Sequence, residues 1–406
     1  MKNDSNILGV LKDRGLVAQE SHEGKVAQYL EGDARIFYVG FDPTAESLHI
    51  GHLVAVMCMR TLVDAGHKAI CLIGGGTALI GDPSHKTEMR KMINKDELEK
   101  NRKALAKQMS KLLNVKDLVM LNNADWLFSL NYLDFMREYG VHFKINEMIK
   151  KDIYKERLDR EEGLTMFELN YLLLQSYDYL HLFRKYGCTL ELGGSDQWSN
   201  ILGGVELIHK IEGQEVYAVT WPLVTRSDGK KMGKSESGAV WLDEEKTSVY
   251  DFYQWWINVP DLDVEKFLKI FTFLEISVIK DLVEKDIVNA KKTLAYEVTA
   301  FVHSKEKAKE VKEQSEKIFE EGDLGNAPVV SVESSLFENE KMNLVDILVS
   351  AKIAESKSKA RKLIEEGGLY LNDERMSDQE IEKKKINLEN FVLRVGKKKY
   401  YRVKAV

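Results

Sequence analysis

Short apolar runs alternate with longer amphipathic stretches along the chain from about Arg35 to Thr225. The runs RIFYVGF, KAICLIGG, DLVMLNN, CTLELGG and VYAVTWPLV read as strands. Between them lie GHLVAVMCMRTLVDAG, a long basic stretch through ELEKNRKALAKQMSKLLN, and TMFELNYLLLQSYDYLHLF, all helical in pattern. Strands alternating with helices predict an α/β domain over residues 1–225, built on a doubly wound parallel sheet of the Rossmann-like kind. Such sheets take ligands beyond the C-terminal ends of their strands, at the point where the winding reverses.

Past Thr225 the pattern changes. Residues 226–246 hold a glycine-punctuated basic loop, RSDGKKMGKSESG, and residues 247–325 turn helical and aromatic, as in SVYDFYQWWINV and VEKFLKIFTFL. Residues 326–341 carry Gly, Ser and Pro and read as a linker. Residues 342–406 then show two helical stretches, a glycine-marked turn and the alternating run NFVLRVGKKKYYRVKAV, the pattern of a small α+β domain ending in a hairpin. No internal repeat and no low-complexity tract interrupts this order.

Composition narrows the class. A chain of 406 residues exceeds one typical core, and 44% hydrophobic with 31% charged residues is ordinary for a globular protein. The first residues contain charges throughout and no apolar stretch of a secretory signal, and no apolar run reaches the ~18 residues of a membrane span. Cys58, Cys71 and Cys188 are far apart and form no CxxC pair, the usage of reduced thiols in a cytoplasmic protein. The net charge of −6 is uneven: from Met342 onward 15 Lys/Arg face 10 Asp/Glu, which leaves −11 on the rest. A basic tail on an acidic body suits an anionic partner, though a solvated lysine-rich surface would look the same.

The stretch SLHIGHLVAV places His49 and His52 three apart, around Gly51, where a strand gives way to a helix. A helix starting near Leu48–His49 would offer first-turn amides to an anion, with both imidazoles on one face and Gly51 leaving the backbone open to a phosphate. A structural histidine pair is the plainer alternative. Metal binding is disfavoured, because no third ligand stands at a familiar spacing. Further on, Gly229, Gly233 and Gly238 would let the basic loop move while Lys231 and Lys234 offset triphosphate charge. On the leucine-rich helix NYLLLQSYDYLHLF, Tyr171, Gln175 and Asp178 form one polar stripe. Buried polar groups are costly unless paired, so the stripe calls for a polar ligand, or else for a solvent-facing helix side.

H-I-G-H followed by K-M-G-K-S across an α/β pattern resembles the class I aminoacyl-tRNA synthetases. YVGFDPTAESLHIGHL, LIGDPSHK, NYLLLQSYD, GGSDQWSN and KMGKSESG together resemble the bacterial-type tyrosyl members of that family over nearly the whole chain. The resemblance implies that Tyr38 and Asp178 bind the substrate's phenolic hydroxyl, and that Asp82, Tyr171 and Gln175 hold its ammonium. It assigns Gly40, Asp42, Thr44, His49, Gly51 and His52 to ATP, and Gly194, Asp196 and Gln197 to ribose and substrate contacts. Asp196 at a helix start has a second reading as a plain N-cap. Thr44, His49, His52, Lys231 and Lys234 are the implied catalytic set, acting by positioning and charge stabilisation rather than as nucleophiles.

The last domain resembles a small RNA-binding module, in which Lys357, Lys359, Arg361 and Lys362, with Lys397, Lys398 and Lys399, would meet phosphates. Lys86 and Arg90 are implied contacts for the acceptor end of tRNA. The implied activity is tyrosine activation by ATP, accompanied by Mg²⁺ bound through the phosphates, then transfer to tRNA by a homodimer. Rival readings are a tryptophan-specific relative, a nucleotidyltransferase of the wider HxGH group, and a non-enzymatic RNA-binding protein on the same scaffold. Gly233 stands where the family has serine in the lysine loop, Ala55 where many relatives have threonine, Glu191 where glutamine is usual, and Ser199 where glycine is. Glu191 adds a carboxylate close to the pocket.

Overall fold

The computed structural model describes residues 6–43, 45–79, 95–159, 163–229, 232, 234–235, 238–372, 374–386, 391–396 and 399–406. The chain divides into two compact units, residues 1–225 with 265–280, and residues 226–264 with 281–406. The helical stretch that the sequence treats as one domain, 247–325, is therefore shared between them.

The first unit is organised by a six-stranded sheet. Its strands are β1 (Gln19–Glu20), β2 (Ile36–Phe41), β3 (Lys68–Ile73), β4 (Val119–Asn122), β5 (Cys188–Gly194) and β6 (Tyr217–Trp221), in the order β1-β6-β5-β2-β3-β4. β6, β5, β2, β3 and β4 run parallel, and the short β1 closes one edge antiparallel to β6. All five runs expected to be strands are strands, and the sheet is the doubly wound kind. The chain winds outward from β2 through β3 to β4, then returns to β5 on the other side of β2, so the winding reverses between β2 and β5. Central strands covered on both faces read as unbroken apolar runs. Phe37, Val39, Cys71, Ile73, Leu190 and Leu192 are accordingly buried.

Four helices flank the described part of this sheet: α1 (Leu53–Asp64), α2 (Lys95–Leu113), α3 (Met166–Tyr186) and α4 (Trp198–Glu212). The ends of α3 follow from local sequence. Thr165 and Glu168 form a capping box at its start, and Gly187, at φ 66°, provides the left-handed residue that ends it. Gly203 and Gly204 let α4 approach α3 closely, since a Cβ on Gly204 would lie 2.9 Å from that of Tyr179. Residues 265–280 join this unit through Arg14, whose guanidinium donates to the carbonyls of Lys269, Thr272 and Leu274 at 3.1, 2.7 and 2.9 Å.

In the second unit, helices α5 (Val249–Ile257), α6 (Ile287–Val302) and α7 (Lys305–Phe319) bury Phe252, Trp256, Leu294 and Val298. Asp286 and Ser304 cap α6 and α7. The C-terminal part is a sheet of β7 (Val329–Val332), β8 (Leu369–Leu371), β9 (Glu374–Arg375), β10 (Phe391–Val395) and β11 (Lys399–Ala405), ordered β9-β8-β10-β11-β7. α8 (Leu344–Ser350) and α9 (Lys357–Glu365) supply Leu344, Ile347, Ala360 and Ile364 to the core it shares with Leu369, Phe391 and Leu393. β10 and β11 form the expected hairpin. The stretch read as a linker instead contributes β7, which pairs in parallel with β11, Val330 opposite Val403. Its valines alternate in a run too short to stand out from the Gly, Ser and Pro around it. No described helix is long and apolar enough to cross a membrane.

Candidate active site

A cavity of about 340 Å³ opens at the C-terminal ends of β2 and β5, in the first unit. The winding reversal puts it there, because the chain leaves these two strands in opposite directions and no crossover covers the gap. Eleven of the residues given a binding or catalytic role from sequence line it: Tyr38, Gly40, Asp42, Gly51, His52, Tyr171, Gln175, Asp178, Gly194, Asp196 and Gln197; Ala55 and Glu191, noted as departures from the family pattern, line it too. The polar stripe of α3 thus faces this cavity, and the reading of a solvent-facing helix side is set aside.

Asp178 is held in the cavity by two side-chain donors. Its Oδ2 accepts from Asn123 Nδ2 at 2.9 Å and its Oδ1 from Trp126 Nε1 at 2.7 Å. Asn123 is itself fixed, accepting from Gly76 N at 2.7 Å and donating to Thr77 Oγ1 at 3.1 Å. The Asp178 carboxyl is buried, and desolvation raises its pKa to about 7 against the opposing pull of the two donors. Asn123, Trp126 and Thr77 were not singled out from sequence. The signal available was their position just past the C-terminal ends of β3 and β4, where such sheets place their ligand residues.

Tyr38 and Glu191 sit directly opposite one another on the adjacent strands β2 and β5. The Tyr38 hydroxyl and Glu191 Oε2 are both buried and interact with each other, but no hydrogen bond of good geometry closes between them, and Gln175 Oε1, whose amide donates to Glu191 Oε1 at 3.2 Å, is buried without a partner. Burial and then the Glu191 charge push the Tyr38 phenol well above its usual pKa. Desolvation raises Glu191 to about 8, while hydrogen bonding by its neighbours pulls the other way. Three buried polar atoms short of a well-formed hydrogen bond around one cavity mark a place where a polar ligand completes the hydrogen bonding.

The histidine segment differs from its expected form. A 3₁₀ turn, Ile50–His52, precedes α1, with His49 at its N-cap. Gly51 N donates to His49 Nδ1 at 3.0 Å, and His49 N donates to His52 Nδ1 at 3.1 Å. Two amides expected to await an anion are therefore taken by imidazoles, because a histidine at the N-cap can fold back as Ser or Asp does. An Nδ1 that accepts from a backbone N–H carries no hydrogen, so each neutral ring bears its proton on Nε2. Burial, with His49 nearby, lowers the His52 pKa to about 3, which makes it a neutral donor. Gly51 and His52 line the cavity, and His49 is not among the lining residues.

On the opposite side, β5 ends in Gly193 and Gly194 and passes into a 3₁₀ turn, Ser195–Gln197. A Cβ on Gly194 would lie 2.4 Å from Asp196 Oδ1, so glycine lets that carboxylate fold against the strand end. α4 begins only at Trp198 and has no side-chain cap, which removes the N-cap reading of Asp196. Gln197 Oε1 accepts from Asn200 Nδ2 at 3.1 Å.

Thr44, Asp82, Lys86, Arg90, Lys231, Gly233, Lys397 and Lys398 lie outside the described residues. Lys234 starts a two-residue strand, Lys234–Ser235, that pairs with Gly238–Ala239 in the second unit. In that unit Lys357, Lys359, Arg361 and Lys362 all lie exposed on α9. Lys357 pairs with Asp346 at 2.8 Å, Lys359 with Glu355, and Lys362 with Glu366 at 3.7 Å, so much of the helix's positive charge has a local counter-charge.

Comparison with known proteins shows the family. The family model for tRNA synthetases class I (W and Y) matches residues 31–320. The model for the Tyrosine--tRNA ligase SYY-like C-terminal domain matches residues 325–403. The chain is 48% identical to a tyrosine--tRNA ligase of Caldanaerobacter subterraneus subsp. tengcongensis, covering 98% of this chain and 99% of that one. It is 46% identical to a tyrosine--tRNA ligase of Acetivibrio thermocellus, over 99% and 100%. Among solved structures, a C-terminally truncated mitochondrial tyrosyl-tRNA synthetase of Aspergillus nidulans superposes with a TM-score of 0.69 at 28% identity, over 78% of this chain and 95% of that one. A tryptophanyl-tRNA synthetase of Encephalitozoon cuniculi, at 14% identity and a TM-score of 0.54, shares the fold.

Proposed function

The chain belongs to the tyrosine--tRNA ligases among the class I tRNA synthetases, ATP-dependent aminoacyl-tRNA ligases, and on that premise we propose how its cavity divides the work. The phenolic hydroxyl of tyrosine donates to Asp178 and accepts from Tyr38. The observation that carries this is the buried Asp178 carboxyl, held at the cavity by two donors beside a Tyr38 hydroxyl that closes no well-formed hydrogen bond within the protein. A hydroxyl between them can donate to one and accept from the other, whereas phenylalanine can do neither and the indole of tryptophan can donate but not accept. Tyr171 and Gln175, with Asp82, receive the ammonium, and the rest of the cavity, from Gly40 and Asp42 round to Gly194 and Asp196, takes ATP.

The tyrosine carboxylate then attacks the α-phosphorus. A carboxylate–phosphorus bond forms, the bond to the bridging oxygen breaks, and pyrophosphate leaves with that oxygen. His52, neutral and with hydrogen on Nε2, donates to phosphate oxygens as charge grows on them, without adding a fixed charge. Lys231 and Lys234 offset the charge of the departing pyrophosphate, a role that rests on sequence, as does that of Thr44. Mg²⁺ accompanies ATP through its phosphates. In the second step a terminal ribose hydroxyl of tRNA attacks the tyrosyl carbonyl and AMP leaves. Lys86, Arg90 and the basic face of α9 position the tRNA by its phosphates.

The reading includes a cytoplasmic enzyme working as a homodimer. Exposed apolar side chains of the first unit, among them Phe128, Leu133, Val141, Ile145 and Phe167, support a partner copy. Asp178→Asn tests the hydroxyl assignment. The new amide turns an NH₂ toward one of two buried donors, and kcat/KM for tyrosine should fall by about 100-fold or more in charging of tRNA. Unchanged charging would remove Asp178 from recognition.

A further inference from the structure

Glu191 is a buried carboxylate that the roles above leave unused. It lies 2% exposed on β5, lines the cavity, and has one oxygen on Gln175 and the other beside the Tyr38 hydroxyl without a hydrogen bond of good geometry. The titratable groups around it are Tyr38 on β2, Asp178 and Tyr179 on α3, and Cys188 on its own strand, while Ala218 stands opposite on β6. Among these described neighbours none is cationic. A carboxylate withdrawn from water without a cation is strongly disfavoured in its charged form, so the group is held protonated until a cation brought by the ligand favours its ionised form.

The link to Gln175 indicates which part of the ligand that is. The Gln175 amide nitrogen points at Glu191, and its carbonyl oxygen is left unpartnered beside the cavity. An ionised carboxylate only accepts, so it permits one of the two amide orientations and holds the acceptor end toward the ligand. We propose that Glu191 is a positioning residue for the ammonium of the amino-acid substrate, fixing the Gln175 amide with its carbonyl toward the cavity and supplying a negative charge that the ammonium offsets. This rests on the reading of the cavity as an amino-acid site.

The consequence is a proton linked to binding. In the ligand-free protein desolvation keeps Glu191 protonated up to about pH 8, and the arriving ammonium favours its ionised form. Tyrosine then binds with release of a proton, and its affinity rises with pH. If only the ionised form binds, affinity increases about fifteenfold between about pH 6.5 and 8.

The test is tyrosine binding and tyrosine-dependent ATP–pyrophosphate exchange at both pH values, for the parent and for Glu191→Gln. A second ligand, the phenolic acid that lacks the amino group of tyrosine, is titrated alongside. The expected results are a pH effect of about fifteenfold or more on tyrosine in the parent and a much smaller one on the deaminated acid. In Glu191→Gln the pH effect shrinks to the dependence of about fourfold that Asp178 sets for tyrosine and the deaminated acid alike, and the defect falls on KM for tyrosine rather than on kcat. An equal pH slope in the variant, or an equal slope for the deaminated acid in the parent, overturns the proposal. Failure of the parent to exchange with tyrosine at all would instead overturn the amino-acid reading of the site.

Discussion

Replacing Trp126 by phenylalanine should remove one hydrogen bond from the site and leave its packing close to intact. The indole N–H donates to Asp178 Oδ1 at 2.7 Å, and the ring stacks on His181 with centroids 4.3 Å apart and planes 14° from parallel. Phenylalanine keeps a ring for that stack and has no donor. A hydrogen bond to an ionised acceptor contributes about 1.5–3 kcal/mol, and here its loss falls on the charged form of Asp178 alone. At 1.36 kcal/mol per pH unit, the carboxyl pKa should rise by about one to two units from its value of about 7. Near neutral pH most molecules would then hold Asp178 protonated, and the substrate hydroxyl would lose its acceptor. In tyrosine-dependent exchange followed across pH, kcat/KM should fall about 5- to 50-fold near neutrality, with its acid limb displaced upward. Phenylalanine has no hydroxyl to lose, so its weak activation should change by less than about threefold. An unmoved acid limb, or equal losses for the two amino acids, would refute the role given to Asp178.

Other consequences follow from burial and packing. Asp178 and Glu191, raised to about 7 and about 8 by desolvation, bind protons more tightly folded than unfolded. The stability they contribute is complete below their unfolded pKa values and is lost as pH rises through 7 and 8. The melting midpoint of the ligand-free protein should decline from about pH 5.5 to 8.5, and less steeply in Glu191→Gln; a midpoint that climbs over this range contradicts the buried-carboxyl account. Gly204→Ala forces a Cβ against Tyr179 where α3 and α4 meet, and should destabilise by about 1–3 kcal/mol in thermal or denaturant unfolding. Leu133, 74% exposed in the apolar band of the first unit, should be needed for self-association, so that Leu133→Asp shifts the particle toward monomer mass in light scattering. An unchanged mass would place the partner copy elsewhere.

The parallel strands were legible because strands buried on both faces must be apolar throughout, and each run ends at residues suited to a turn. The stripe Tyr171, Gln175 and Asp178 was legible because polar residues four and three apart on a leucine-rich helix point one way. Other features depend on contacts between distant segments. Asn123 and Trp126 act through Asp178, more than fifty residues later, and nothing in NNADWL alone announces that. The histidine rings turned out to cap their own turn, because side-chain reach competes with a ligand for the same amides. Glu191 stood out as an unusual residue, but its bond to Gln175 required knowing that β5 runs beside α3. The lysines of α9 read as free charge until Asp346, on another helix, proved to pair with Lys357. β7 was hidden because its partner lies at the far end of the chain.

The measurement that tests the central claim most directly is amino-acid-dependent ATP–pyrophosphate exchange by the parent protein, comparing tyrosine, tryptophan and phenylalanine. A cavity that pairs a hydroxyl between Tyr38 and Asp178 should exchange with tyrosine and barely with the other two. Exchange led by tryptophan or phenylalanine would contradict the hydroxyl assignment, and no exchange with any of them would contradict the catalytic role given to this site.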